Sequence, residues 1–178
     1  MPSSDFNSFP ILTSERLLLR QLALSDEQAV FALRSDEAVN RYIGRMLQQN
    51  IIEARNFIKM INNGIIDDGW LYWAVCMREH DAFVGTICLW NFSEDRSSAE
   101  LGYELSPAHQ GKGLMDEAVK VVLQYGFQKL RLRVIEAFTH QDNVRSKRLL
   151  EKNGFVIAPN RQSQELPQQV AFTLNSPY

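Results

Sequence analysis

The sequence contains few of the residues that most often bind metals or form cross-links. It has two cysteines, Cys76 and Cys88, and three histidines in 178 residues. Both cysteines lie inside apolar runs, so we expect buried thiols, and their spacing fits neither a redox motif nor a zinc site. A disulfide would require that the two segments pair as neighbouring strands. The histidines show no metal-ligand spacing, and we therefore predict no metal.

The sequence also lacks a charge excess and a long apolar run. Lys and Arg number 19 and Asp and Glu 21, which gives a net charge of -2 and a pI near 5.9. The chain has no excess of positive charge that would indicate nucleic acid as a partner. No apolar stretch reaches the roughly 18 residues of a membrane-spanning helix, and residues 1–9 are too polar for a signal peptide. We therefore expect a cytoplasmic protein that binds neither nucleic acid nor membrane.

The remaining composition is that of a folded domain. Hydrophobic residues make up 45% and charged residues 22% of the chain, so disorder is not expected beyond the termini. No repeat, linker or low-complexity tract divides the sequence. We predict a single domain over residues 1–178, in which residues 1–10 form a loose lead-in.

Apolar spacing in the first part of the chain predicts one strand and two helices. Residues 15–22 have the length and charged borders of a strand. Ser25 and Gln28 form a capping box, with Ser25 as the N-cap of the first helix. Residues 51–61 repeat apolar positions every three or four residues, which predicts a second helix, and residues 62–64 (Asn-Asn-Gly) are expected to end it.

The later segments predict a three-stranded meander followed by alternating strands and helices. The predicted strands span residues 70–77, 83–90, 97–105, 133–138 and 155–157, with an edge strand at 170–174, and the predicted helices span residues 114–127 and 143–152. This order predicts an α/β fold of the α+β type. Its central mixed sheet is mostly antiparallel, with one parallel β-α-β step and helices on both faces.

A glycine-containing loop lies between a predicted strand end and a predicted helix start. Gly111 and Gly113 permit tight turns and close approach of a ligand, Lys112 adds a positive charge, and the helix N-terminus offers free N–H groups. These features predict an anion site suited to a pyrophosphate. The loop does not match the nucleoside triphosphate pattern or the dinucleotide pattern, which would need a glycine at Asp116. From these residues alone, a simple strand-to-helix turn remains an equal alternative.

The surrounding sequence resembles a known family. Residues 99–118, AELGYELSPAHQGKGLMDEA, resemble the acetyl-CoA-binding region of the GNAT superfamily of N-acetyltransferases. Gln110 and Gly113 match the first and fourth places of that loop. Met115 departs from the small residue usual at the last place, and we expect its side chain to point into the helix core. ERLLLRQLALSDEQAVFAL near the start and HQDNVRSKRLLEKNGF near the end extend the resemblance, which is nearest to the ribosomal-protein acetyltransferases RimJ and RimL.

The resemblance implies acetyl-CoA as cosubstrate and assigns roles in binding it. The pantetheine arm would lie along the strand that ends at Leu105, held by backbone groups near Leu105 and Ser106 that also polarise the thioester carbonyl. Asn143 would donate a hydrogen bond to the arm, cap its helix, or do both. Backbone amides would cradle the pyrophosphate at the loop residues Gln110, Gly111, Lys112, Gly113, Leu114 and Met115.

The resemblance also implies catalytic roles. Ser146 corresponds to the hydroxyl that protonates the departing thiolate in this branch; the alternative is an exposed helix serine. For the general base we predict Glu100, which shares a strand face with Glu104. The rival candidates are Tyr103, Glu136 and His140.

The expected function is acetyl transfer from acetyl-CoA to a primary amine. The branch implies the N-terminal serine or alanine of a ribosomal protein as acceptor, while a small-molecule amine is the alternative, and the acceptor would approach from residues 34–66. A non-catalytic acyl-CoA-binding module is the second hypothesis. A nucleotide-phosphate enzyme of another fold is disfavoured by the failed patterns. The sequence leaves the oligomeric state open, and a homodimer is one of the alternatives.

Overall fold

A computed structural model describes residues 9–66, 69–159 and 168–178. Residues 1–8 of the predicted lead-in lie outside the described residues. The strands are β1 (Leu12–Thr13), β2 (Leu17–Gln21), β3 (Leu71–Met77), β4 (Ala82–Trp90), β5 (Ser98–Leu105), β6 (Val134–His140), β7 (Val156–Ile157) and β8 (Gln169–Asn175). The helices are α1 (Glu27–Ser35), α2 (Glu37–Asn40), α3 (Ile51–Ile66), α4 (Leu114–Gln128) and α5 (Val144–Lys152).

All eight strands form one sheet in the order β1-β2-β3-β4-β5-β6-β8-β7. Every neighbouring pair is antiparallel except β5 and β6, which are parallel and connected through α4. The predicted fold class is therefore confirmed, including its single parallel step. The prediction of an edge strand at residues 170–174 is wrong, because β8 lies between β6 and β7. Its residues Ala171 and Phe172 are buried as in an interior strand, and the two-residue β7 forms the edge.

Helices cover both faces of the sheet because side chains alternate along each strand. On one face, Trp73 of β3 packs in a large cluster with residues of α4 such as Val119. On the other face, Ala74 packs with Val30 of α1 and Ile58 of α3. Each fully buried side chain of the size of valine or isoleucine contributes about 1.5–3 kcal/mol to folding. Both faces of the sheet are thus covered by packed helices.

The two cysteines lie on neighbouring strands but not opposite each other. The register pairs Cys76 with Phe83 and Cys88 with Tyr72. Both thiols are free. Cys76 is buried as predicted, whereas Cys88 is only half-buried. Burial raises the pKa of each thiol to about 12, so both remain protonated near neutral pH.

The prediction of Ser25 as the N-cap of α1 is wrong. A 3-10 turn, Leu24–Asp26, precedes the helix, and the Asp26 carboxylate accepts a hydrogen bond from the backbone N–H of Ala23 at 2.8 Å. Arg20 holds the same carboxylate with two bonds of 2.8 and 2.9 Å. The local capping contact therefore begins at Ala23 and not at Ser25, and the ion pair with Arg20 holds its carboxylate in place.

The predicted end of the second helix at residues 62–64 is also wrong, because α3 continues to Ile66. Gly64 lies within the helix. A residue with a Cβ would clash at this position, because the Trp70 ring occupies the space that the Cβ would need. Asn62 donates a hydrogen bond from Nδ2 to the Leu22 carbonyl at 2.9 Å instead of ending the helix. Tertiary packing overrides the local stop signal.

Candidate active site

The parallel strands β5 and β6 separate soon after they begin. They pair only from Ser98 with Val134 to Glu100 with Glu136, while β5 continues to Leu105 and β6 to His140. Within the described residues, the backbone of positions 101–105 has no strand partner on the β6 side. This opening, which we call the wedge, offers free amide groups to an extended ligand that could lie in it like a strand.

Alternation along β5 determines which backbone groups face the wedge. The N–H of Ser106 donates to the Val84 carbonyl on the β4 side at 2.8 Å, so it is not free to hold an arm in the wedge as predicted. The backbone N–H and C=O of Leu105 point to the opposite side, towards the wedge, and the carbonyl accepts from Gln110 Nε2 at 2.9 Å. The N–H groups of Leu105 and Tyr103 are therefore the ones directed into the wedge.

The loop with Gly111 and Gly113 lies at the open end of the wedge. Both glycines have a φ of 74°, the left-handed conformation that other residues rarely adopt, and Gly113 is the N-cap of α4. Apart from Gly111 itself and its two chain neighbours, no atom of the described residues lies within 4 Å of a Cβ built on Gly111, so the loop is open to a ligand there. Leu114 and Met115 are buried in the core, as expected for Met115, and only their backbone N–H groups remain for an anion.

Arg16 anchors this loop from the other end of the chain. Its Nη1 donates to the Lys112 carbonyl at 3.0 Å, and its guanidinium pairs with Glu117 at 2.7 Å. Burial alone would raise the pKa of Glu117, but hydrogen bonds from Ser14 and Arg16 outweigh it and hold the pKa below its ordinary value. No local signal in the sequence identified Arg16, because the contact joins residues 96 positions apart.

The second carboxylate in the first turn of α4 is also neutralised. Asp116 accepts from Lys120, Lys152 and Asn153, each at 2.9 Å. Burial opposes its ionisation, yet these bonds lower the pKa of Asp116 to about 2. An unpaired acid at a helix N-terminus would repel a bound phosphate, whereas these ion pairs keep the site suitable for an anion.

The side chain of Gln110 joins three elements. Its Nε2 bonds the end of β5, as described above, and its Oε1 accepts from Arg145 Nη1 of α5 at 2.8 Å. The loop is therefore connected to the helix that carries Asn143 and Ser146. Lys112 is exposed, so its charge faces solvent at this end of the wedge.

Asn143 is the N-cap of α5. Its Oδ1 accepts from the Ser146 N–H at 3.2 Å, which confirms the capping interpretation. Its contact with the pantetheine arm stays a prediction.

Replacing Asn143 with Asp separates the two roles. Asn143→Asp keeps an oxygen for the cap but loses the amide N–H₂ group, so we expect unchanged stability and an acetyl-CoA Kd raised about tenfold. Asn143→Ala should also lose about 1 kcal/mol of stability, because the cap is removed. Urea unfolding and titration calorimetry measure the two effects. An Asn143→Asp variant that binds acetyl-CoA as tightly as the parent would leave Asn143 with the cap alone.

The buried Ser146 and the half-buried Tyr103 form a hydroxyl pair between α5 and β5. Ser146 Oγ lies 2.7 Å from Tyr103 Oη, and Ser146 is only 9% exposed, which rules out the exposed-serine alternative. Burial raises the pKa of Tyr103 to about 12, although the bond to Ser146 opposes the rise. Tyr103 therefore stays protonated near neutral pH, so it is suited to donate a proton and not to act as the base.

The candidate bases lie on the opposite face of the sheet. Glu100 and Glu136 are register partners where the β5–β6 pairing ends, and Glu100 accepts from Asn91 Nδ2 at 2.6 Å. His140 lies four residues beyond Glu136 on β6, which corresponds to about 13 Å along a strand. Glu100 is thus at the closed end of the wedge and His140 near its open end.

The chain between α2 and α3, residues 41–50, spans the wedge on this face. Arg45 donates to both oxygens of Glu104 on β5, with Nη1 to Oε1 at 2.6 Å. The Tyr42 ring contacts the His140 ring on β6, with centroids 5.3 Å apart. The segment predicted to receive the acceptor therefore contacts both sides of the wedge.

The described residues contain neither a metal-binding cluster nor a membrane-spanning helix. No group of three or more His, Cys, Asp or Glu side chains among them could hold a metal ion. None of the described helices combines the length and apolarity needed to cross a bilayer.

Comparison with known proteins agrees with this architecture. Residues 16–156 match the family model described as an acetyltransferase (GNAT) domain. The uncharacterised N-acetyltransferase YoaA of Bacillus subtilis (strain 168) is 33% identical over 170 residues, covering 96% of this chain and 93% of that protein. The ribosomal-protein-serine acetyltransferase of Escherichia coli (strain K12) is 28% identical over 79 residues, covering 44% of each.

A solved structure shows the same fold. The acetyltransferase (GNAT family) from Bacillus anthracis superposes with a TM-score of 0.81 at 24% identity, covering 95% of this chain and 100% of that one. With the family match, the wedge and the glycine loop, the chain belongs to the GNAT acetyltransferase family. It is an N-acetyltransferase that takes its acetyl group from acetyl-CoA.

Proposed function

We propose that this enzyme acetylates the N-terminal amine of a protein, with the serine or alanine terminus of a ribosomal protein as the preferred acceptor. The partial similarity to a ribosomal-protein-serine acetyltransferase supports this class of acceptor. The observation that carries the catalytic proposal is the wedge, with a glycine loop at its open end and the Ser146–Tyr103 pair on one face.

The donor is held by the backbone more than by side chains. The pyrophosphate binds the N–H groups of the loop from Gln110 to Met115 and the N-terminus of α4. The pantetheine arm lies in the wedge beside residues 101–105. The N–H groups of Tyr103 and Leu105 that face the wedge hold the arm and polarise the thioester carbonyl.

Transfer proceeds by direct attack. The neutral amine forms a C–N bond with the thioester carbon, and the C–S bond then breaks to release a thiolate. Glu100 accepts the proton that the amine loses, directly or through water, from the face opposite Tyr103. An N-terminal amine has a pKa near 8, so it needs only modest help from a base.

The thiolate takes its proton from Ser146. A serine hydroxyl alone is a very weak acid, so Tyr103 passes its phenolic proton to Ser146 through their hydrogen bond as the serine proton leaves. The phenol has the lower pKa of the two hydroxyls, which makes it the source of that proton. The phenolate that forms then takes a proton from solvent. Ser146 is thus the catalytic acid, and Tyr103 is a positioning residue that acts through it.

A thiol-release assay tests the proposal. The protein is mixed with acetyl-CoA and a panel of peptides with different N-terminal residues, with small amines as a second arm. Peptides that begin with serine or alanine should release coenzyme A fastest. Faster turnover of small amines would reassign the acceptor to the alternative class.

Two other outcomes would overturn more of the proposal. Tight acetyl-CoA binding without turnover of any amine would favour a non-catalytic acyl-CoA-binding module. The absence of any thermal shift with acetyl-CoA would contradict the binding site itself. Mass spectrometry of the product peptide should locate the acetyl group on the N-terminal nitrogen.

A further inference from the structure

Arg34 is a largely buried cation whose pairing with its counter-ion is weak. Its side chain is 16% exposed, and its nearest carboxylate, Glu104, lies 3.8 Å away. That carboxylate is already bound through both oxygens to Arg45. The Nε atoms of Arg34 and Arg45 are buried and have no hydrogen-bond partner in the described part of the chain.

The cluster of Arg34, Arg45 and Glu104 therefore carries one positive charge too many. Burial, together with the charge of Arg45, lowers the pKa of Arg34, which shows that its surroundings disfavour the cation. The neighbouring Tyr72 and Cys88 do not supply a negative charge, because burial raises the pKa of both groups. A buried charge that is not fully paired is costly unless a ligand completes it.

The next carboxylate along β5 does not compensate Arg34. Glu100 is the next acid on the same face of β5, four residues earlier. Four strand residues span about 13 Å, which is too far for an ion pair. The excess charge is thus local to the cluster.

The position of the cluster relates it to the acceptor. Glu104 projects from the part of β5 that borders the wedge, on the face opposite the Ser146–Tyr103 pair. Arg45 belongs to the segment of residues 41–50 that spans the wedge on this face. An acceptor that approaches the thioester from this side passes the cluster.

We propose that Arg34, with Arg45, binds an acidic group carried by the acceptor close to its reacting amine. The group is a carboxylate or a phosphate, since a planar guanidinium fork bonds both in the same way. For a protein terminus, the group corresponds to an acidic side chain at the second or third residue. The proposal rests on the acetyl transfer described under Proposed function and narrows its acceptor class.

Arg34 is also held in a fixed orientation. Its Cζ lies 3.7 Å from the centroid of the Phe57 ring of α3, in a cation–π contact. One face of the guanidinium is therefore covered, and its edge is directed by packing. A preoriented cation loses little freedom when the anion binds.

Matched acceptor pairs test the proposal. They are peptides that begin Ser-Glu and Ser-Gln, 4-aminobutyrate with butylamine, and phosphoethanolamine with ethanolamine. The acidic member of a carboxylate pair should show kcat/KM about tenfold to hundredfold higher, in line with a charge-assisted hydrogen bond. The phosphate pair distinguishes which oxyanion the cluster prefers.

Variants assign the effect to Arg34. Arg34→Met should bring the ratio within each pair close to one, mainly through KM. Arg34→Lys keeps the charge and the packing and should retain part of the preference, which covers the case in which Arg34→Met does not fold. Arg55→Met is the matched control, because Arg55 pairs with Glu27 on the surface of α3 and should leave the ratio unchanged.

The outcomes separate the two proposals. Equal kcat/KM for all pairs in the parent enzyme overturns the acidic-acceptor proposal and leaves acetyl transfer intact. A preference that persists in both Arg34→Met and Arg34→Lys also overturns it. No turnover with any amine contradicts the proposed function instead.

Discussion

Replacing Ser146 with alanine is expected to lower kcat about a hundredfold, with the Kd of acetyl-CoA changed by less than about twofold. The hydroxyl that protonates the thiolate is lost, while the loop and the wedge that hold the donor are untouched. Stopped-flow single turnover measures the chemical step, and calorimetry measures the affinity. Equal single-turnover rates in the two proteins would remove Ser146 from the mechanism.

The hydroxyl pair predicts a specific pattern among variants. Tyr103→Phe should also lower kcat, and the Ser146→Ala/Tyr103→Phe double variant should be no slower than Ser146→Ala alone, because the two groups act as a unit. Tyr125→Phe is the matched control, since Tyr125 is a half-buried tyrosine packed against Trp73 and, among the described residues, forms no hydrogen bond through its hydroxyl. Additive losses would mean that Tyr103 acts apart from Ser146.

The pH dependence of kcat tests the protonation state assigned to Tyr103. Because the pKa of Tyr103 is raised to about 12, its phenol remains protonated across the usual assay range. The proton-donor function should therefore be complete below about pH 10, and kcat should not decline there through this group.

Replacing Gly111 with alanine should raise the Kd of acetyl-CoA about tenfold to hundredfold. A residue with a Cβ disfavours the left-handed conformation by about 1–2 kcal/mol, so the loop relaxes and its N–H groups turn away from the pyrophosphate. The new Cβ would also enter the space that is open in the free protein. Titration calorimetry with acetyl-CoA and with coenzyme A measures the loss.

Gly154→Ala provides a matched control for backbone strain. Gly154 has a φ of 85°, and a Cβ there would lie 3.5 Å from Leu174 Cδ1, an ordinary contact. Gly154→Ala should lose about as much folding stability as Gly111→Ala, because both glycines have a positive φ. It should bind acetyl-CoA normally, because Gly154 follows the far end of α5. If both variants bind acetyl-CoA as tightly as the parent, the loop does not hold the pyrophosphate.

Several features encoded in short stretches of sequence could be predicted, although the local signals at Ser25 and at residues 62–64 were overridden. The meander, the helix after the glycine loop and the cap at Asn143 depend on neighbouring residues, and the structure contains each of them. The loop itself could be predicted because its glycines, its lysine and its helix lie within a few residues of one another. The identity of the ligand as coenzyme A depended on the resemblance to a known family, because the physical features of the loop suit any pyrophosphate.

Features that depend on distant residues could not be predicted. The Tyr103–Ser146 bond joins positions 43 residues apart, and the Arg45–Glu104 pair joins positions 59 apart. The insertion of β8 between β6 and β7 depends on which edges remain free after the rest of the sheet has formed. Periodicity gives the faces of each element but not the partner that each face meets.

The early separation of β5 and β6 has a mechanical consequence. Among the described residues, three residue pairs of the sheet join the block β1–β5 to the block β6–β8. The sheet therefore consists of two blocks of strands joined by a short parallel pairing, and a donor arm lying along residues 101–105 would extend the hydrogen-bonded contact between them. Binding of this kind stabilises the folded chain by about 1.4 kcal/mol for each tenfold rise of ligand above its Kd. The bound cosubstrate would then help to join the two blocks of strands during transfer, and this contribution would be lost when coenzyme A dissociates.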